Sequence, residues 1–164
     1  MASSPFDELI RQIEEFSRSA ETILSLQEFC VNIIAERLPK YDWVGFYMLD
    51  PADKNTLVLG PFQGAPTEHV RIPVSEGICG AAVAQGTAII VDDVASDSRY
   101  LACSLDTKSE IVVPIFVNGV IVGEIDIDSH TLNAFDGQDR TFLERCAGIV
   151  GKFLARTGDN YRAV

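Results

Sequence analysis

The first forty residues carry apolar positions at helical spacing. In residues 5–17, Phe6, Leu9, Ile10, Ile13 and Phe16 recur every three or four positions behind Pro5, a residue suited to a first helical turn. Residues 19–38 continue with a stripe of Ile23, Leu26, Cys30, Ile33 and Ile34. At YDWVGFYML the period changes to two. Tyr41, Trp43, Gly45 and Tyr47 are expected on one face of a strand and Val44, Phe46 and Met48 on the other, so that strand should be covered on both sides.

Turn chemistry then divides the rest of the chain. DPADKN, residues 50–55, reads as a hairpin turn and TLVLGPF as the returning strand, with VRIPV a further short strand interrupted by proline. SEGICGAAVAQG predicts a short helix of small residues from near Ile78, closed by Gly86. TAIIVDDV is a strand, and ASDSRYLACSLDTK a polar loop. Around Asn118-Gly119, the strongest short hairpin signal, two apolar strands are expected. A final helix ends the chain, with Phe142, Leu143, Cys146, Ile149, Val150 and Phe153 on its inner stripe. Helices at both ends around about six mostly antiparallel strands make an α+β layer fold, read as a single domain over residues 1–164.

GEIDIDSH, residues 123–130, interrupts this regularity. Ile121, Ile125 and Ile127 fall on one face, while Glu124, Asp126 and Asp128 share the other. A wet outer sheet face would account for the acids, and Glu124, further toward the turn, is as readily an ordinary solvated side chain as a member of a site. The hairpin suggests a second reading. With Val117 opposite Val120, strict register puts Glu110 opposite Ile127, on the wrong face to meet the acids. Pro114, which has no N–H for a ladder, would mark a bulge of one extra residue and bring Glu110 opposite Asp126. Glu110, Asp126 and Asp128 would then converge, an arrangement that calls for a bound cation or a retained proton.

Composition narrows the partners. The formal net charge is −11, from 24 acidic and 13 basic residues, with no Lys/Arg cluster, so nucleic acid and anionic membrane are poor partners and a small, cationic ligand is easier to accommodate. There is no apolar run of about eighteen residues. The charged, amphipathic start is unlike a secretory signal, and a cytoplasmic location is expected. The four cysteines, Cys30, Cys79, Cys103 and Cys146, form no CxxC pair and lie near no histidine at metal spacing, so no metal site is expected. Cys30 and Cys146 sit in helical stripes and read as buried small hydrophobes. Cys79, in the first turn of its helix beside Gly77 and Gly80, is where backbone N–H groups and the helix dipole favour a thiolate. Cys103 lies in the polar loop with Arg99 and Lys108 nearby in sequence. Together Cys79 and Cys103 form a candidate attacking and resolving pair. His130 reads as an ordinary surface residue.

DWVGFYML, TLVLGPFQG, VRIPVSEGICGAAVAQG, IIVDDV, YLACSLDTKSEIVVPI and GEIDIDS, in this order and spacing, resemble the free methionine-(R)-sulfoxide reductases, a group within the GAF-domain superfamily. The resemblance runs from about Ser19 to Leu154 and implies a GAF-like sheet of about six strands, with the N- and C-terminal helices on one face and the ligand pocket on the other. It implies reduction of the R epimer of free methionine sulfoxide by thiol chemistry, with no cofactor, with thioredoxin as reductant and with a homodimer. Residue by residue, Cys103 matches the family's usual catalytic cysteine and Cys79 a second redox cysteine. Glu110, Asp126 and Asp128 match its acidic pocket residues, with Glu110 also a candidate proton donor, and Trp43 and Tyr47 match its aromatic wall. His69 stands where many members carry a third cysteine, which leaves open which of Cys79 and Cys103 attacks. The alternative reading is a non-catalytic GAF module that binds a small metabolite for signalling.

Overall fold

The computed structural model describes residues 2–101 and 104–158. Two capped helices lead the chain. Helix α1 (Pro5–Ser19) starts at Ser4, whose hydroxyl accepts from the Asp7 N–H at 3.1 Å, and α2 (Ile23–Arg37) starts at Thr22, which accepts likewise from Ser25. There follow β1 (Trp43–Asp50), β2 (Asp53–Gln63), β3 (Arg71–Pro73), α3 (Gly77–Gln85), β4 (Ile89–Val91), a 3-10 turn at Val94–Ser96, β5 (Ser109–Val117), β6 (Val120–Ser129) and α4 (Gly137–Thr157). The six strands form one antiparallel sheet in the order β3-β2-β1-β6-β5-β4.

The sheet divides the apolar residues as the period-two reading of β1 requires. Val44, Phe46 and Met48 join Ile111, Val113 and Ile115 of β5 and Ile125 and Ile127 of β6 beneath α1, α2 and α4. On the other face Trp43, Tyr47 and Leu49 join Leu57, Ile72, Val112 and the inner side of α3 (Ile78, Cys79, Ala82). Cys30 and Cys146 are fully buried in the helix-side core, and burial pushes the Cys30 thiol up to about 12.

Several expectations need correction. Tyr41 precedes β1 rather than belonging to it, and it turns to the helix side, where its hydroxyl donates to Asp139 Oδ1 at 2.6 Å. The first hairpin turn is tighter than its composition suggests, with Asp50 paired to Asp53 across two residues. The β5–β6 ladder does contain a bulge, but not at Pro114. The partners run Val117↔Val120, Phe116↔Ile121 and then Ile115↔Gly123, so the extra residue is Val122 on β6. The shift therefore has the opposite sense, and Glu110 faces Asp128 instead of Asp126. Gly123 supplies the physical reason: a side chain there would meet the Tyr47 carbonyl at 2.6 Å, so only glycine permits this approach of β6 to β1. The same bulge turns Ile121 to the α3 side, away from Ile125 and Ile127. Pro114 lies past Val112, the last residue of β5 that β4 pairs, where a missing N–H is tolerated.

Candidate active site

Three cross-strand rows build the floor beneath α3. The first runs Val91, Glu110, Asp128, Trp43; the second Ile89, Val112, Asp126, Gly45, Phe62; the third Pro114, Glu124, Tyr47, Leu59. Direct partners in a sheet share a face, so these ladders alone put Glu110, Asp126, Asp128, Trp43 and Tyr47 together. Gly45 is the centre of the floor. A side chain there would collide with the Trp43 ring, which leans over it.

The aromatic side chains form one wall. Trp43 stacks on Phe62 at 5.4 Å and on Tyr47 at 6.2 Å between ring centroids. Their polar ends reach outward to the β2–β3 loop: Trp43 Nε1 donates to the Ala65 carbonyl at 3.1 Å, and the Tyr47 hydroxyl to the His69 carbonyl at 2.7 Å. His69 thus contributes its backbone to the position of this wall.

The acids are not on a wet surface. Glu124 is 0% exposed, Asp126 2%, Asp128 3% and Glu110 5%. Glu124, for which a solvated position was left open, is the most deeply buried of the four. It was the acid set aside on sequence, although its strict alternation with Asp126 and Asp128 already placed it on their face. Among the described residues, both carboxyl oxygens of Glu124 and Oδ1 of Asp126 and of Asp128 have no hydrogen-bond partner. Such groups are costly to bury, by roughly 1–3 kcal/mol each. The Cys79 thiol bears on Glu124 and Asp126, but a thiol is a weak donor and does not meet hydrogen-bond geometry at Glu124.

Protonation follows from burial. Desolvation lifts Glu124 and Asp128 well above the usual carboxylate range, and the charge of Asp126 adds to both. Asp126 is raised too, by burial, with hydrogen bonds from Glu110 and Cys79 acting against it. Cys79 needs a correction. It does occupy the first turn of α3, yet burial, followed by the charges of Asp126, Glu124 and Glu110, raises it well above an ordinary thiol. Desolvation and the neighbouring acids outweigh the helix dipole and favour the protonated thiol at Cys79.

The donor geometry is compact. Cys79 Sγ and one carboxylate oxygen each of Glu110 and Asp126 all lie within 4.8 Å of one another. The expectation of no metal site therefore missed a group capable of holding one, because its members are spread over α3, β5 and β6. Cys103 lies outside the described residues. Leu101, two positions before it, approaches Gly77 at the start of α3, where an added side chain would stand 3.3 Å from the Leu101 Cβ. His130 is a surface residue, as expected, beside Asp42 at 3.6 Å.

Taken together, these residues make a buried, acidic, aromatic-walled patch on one face of a six-stranded sheet, with the Cys79 thiol beside its acids. The description of the GAF domain matches residues 20–155. Protein YtsP of Bacillus subtilis (strain 168) is 38% identical over 90% of both chains. The free methionine-R-sulfoxide reductase of Escherichia coli (strain K12) is 41% identical over 76% of this chain and 73% of its own. The crystal structure of free methionine-R-sulfoxide reductase from Neisseria meningitidis, in complex with its substrate, superimposes with a TM-score of 0.88, at 34% identity and over 96% of each chain. The chain belongs to the GAF domain family and, within it, to the free methionine-(R)-sulfoxide reductases.

Proposed function

We propose that this protein reduces free methionine-(R)-sulfoxide to methionine, with Cys103 as the attacking thiol, Cys79 as the resolving thiol, and the substrate held between the acids of β5 and β6 and the aromatic wall of β1. The observation that carries this reading is the set of buried carboxyl oxygens at Glu124, Asp126 and Asp128 that have no partner among the described residues. An α-ammonium supplies the missing donors and the missing charge. A methionine residue within a peptide has no such group and would leave these β6 carboxyl oxygens without that donor. Trp43 and Tyr47 suit the methylthio end, since aromatic rings attract sulfur and methyl groups.

The chemistry then balances as follows. A buried carboxyl group of this nest, with Glu110 the candidate, donates a proton to the sulfoxide oxygen. The Cys103 thiolate attacks the substrate sulfur; oxygen passes to Cys103 as the sulfenic acid, the S–O bond breaks, and methionine leaves. Cys79 gives its proton to a carboxylate of the nest and attacks the sulfenic sulfur, forming a disulfide and releasing water. An external dithiol reopens the disulfide by exchange. General acid assistance of this kind is worth about 10² to 10⁴ in rate. Family membership supports thioredoxin as that dithiol, a homodimer and a cytoplasmic setting. Among the described residues no helix is long and apolar enough to cross a membrane, and the net charge of −11 opposes nucleic-acid and anionic-lipid binding.

The direct test is the mass of the reduced protein after mixing with free methionine sulfoxide. The enzyme loses two hydrogens as the Cys79–Cys103 disulfide forms, and releases one methionine. An unchanged mass with bound ligand would instead describe a metabolite-binding module.

A further inference from the structure

The nest beneath α3 offers a set of donors that an ammonium does not exhaust. The Cys79 sulfur and single oxygens of Glu110 and Asp126 are mutually within 4.8 Å and buried. Beside them, among the described residues, Glu124, at 0% exposure, leaves both oxygens unpartnered, and Asp128, at 3%, leaves one. One sulfur and two or three carboxylate oxygens form a donor set that Zn²⁺ accepts, at about 2.3 Å for sulfur and about 2.0–2.2 Å for oxygen. Tetrahedral donors at those lengths stand roughly 3.5 Å apart. The observed group therefore closes on an ion with a contraction of at most about 1.3 Å.

We propose that the reduced, substrate-free protein binds one Zn²⁺ ion through Cys79, Glu110 and Asp126, and that the ion and the substrate exclude each other, so that zinc reversibly silences the reductase. The proposal rests on the reading of this acidic nest as the substrate site. A divalent ion neutralises more of the acidic nest than a single ammonium does, and it takes the sulfur that must later resolve the sulfenic acid. Mg²⁺ and Ca²⁺ are excluded, because they need six or more oxygen ligands or several retained waters and have no use for a thiolate. Once Cys79 enters a disulfide its thiolate is gone, so only the reduced enzyme holds the ion.

The test is a titration of the reduced protein with Zn²⁺ against a competing chromophoric chelator, run beside a turnover assay. The expected result is one ion per chain, displaced by free methionine sulfoxide, with no comparable binding of Mg²⁺. Cys79→Ser, Glu110→Gln and Asp126→Asn, each nearly isosteric, should each weaken binding by more than the roughly 10–100-fold lost on removing an outer-shell partner. Cys146→Ala, in the helix-side core, should leave the affinity unchanged. Unaltered zinc binding in folded Cys79→Ser or Asp126→Asn protein overturns the proposal, as does the absence of binding in a wild type that turns over. Zinc binding lost with Cys79 in a protein that reduces no sulfoxide would uphold the ion site and reject the catalytic reading.

Discussion

The two faces of the central sheet use the same strands for opposite ends. Beneath α1, α2 and α4 the inward residues of β1, β5 and β6 are apolar and packed against apolar helix stripes. Beneath α3 the same three strands present Tyr47, Trp43 and Gly45, then Glu110, then Glu124, Asp126 and Asp128, all buried. The helix-side face removes apolar area from water and stabilises the chain by about 25 cal/mol per Å². The other face holds carboxyl groups whose desolvation opposes folding and is relieved when a cation arrives. Alternation along one strand thus assigns stability to one surface and binding to the other, and the two should respond differently to substitution.

The largest separation is expected at Cys103. Cys103→Ser should reduce turnover to background while thermal stability stays that of wild type, measured by methionine release and by calorimetry. Cys79→Ser should still release one methionine per chain in a single round. Blocking the substrate ammonium comes next: with N-acetylmethionine sulfoxide, kcat/KM should fall by about 10⁴ or more, because a site built around a polar partner rejects an analogue lacking it. Only a small loss would show that the acids do not read the amino group. On the helix side, Phe46→Ala should cost about 3–5 kcal/mol of stability in denaturant unfolding, with little change in kcat/KM at temperatures where the variant is folded.

The smallest effect is a pH dependence, and its sign is set by the raised acids. In metal-free protein, kept so with a chelator, Glu124, Asp126 and Asp128 retain protons in the folded state at pH values where the unfolded chain has lost them. Their contribution is therefore most favourable below about pH 4 and is lost as pH rises through the folded-state values, by up to about 1.4 kcal/mol per pH unit for each retained proton. Asp128→Asn removes part of this slope, so its stability advantage over wild type should grow with pH. A constant difference between pH 5 and pH 9 would mean that Asp128 is charged in the fold.

How far the residues alone could be read depended on the range of the interaction involved. The helices of the two ends, the small-residue helix closed by Gly86 and the Asn118-Gly119 hairpin follow from local periodicity and turn chemistry, and each stands where it was expected. Motif resemblance pointed to Trp43, Tyr47, Glu110, Asp126 and Asp128 as one site, and the cross-strand rows place them together. Three readings fell short on long-range grounds. A solvated Glu124 stayed open because alternation cannot tell water from a covering helix. The bulge was ascribed to Pro114, whereas the close contact of Gly123 with Tyr47 in β1 decides its position. The thiolate expected at Cys79 took account of its own helix turn but not of the acids brought in from β5 and β6.

The order of residues carried the fold class, the aromatic pair and the face shared by the three acids of β6, because helical and strand periods are properties of neighbouring residues, while the family came from the resemblance of its motifs. Whether that face was wet or dry and whether Cys79 favoured its proton depend on α3 covering the sheet, and the way the β5–β6 register slipped depends on the close approach of Gly123 to β1. Desolvation and cross-strand charge depend on what stands above and beside a residue in space, and no local pattern encodes that.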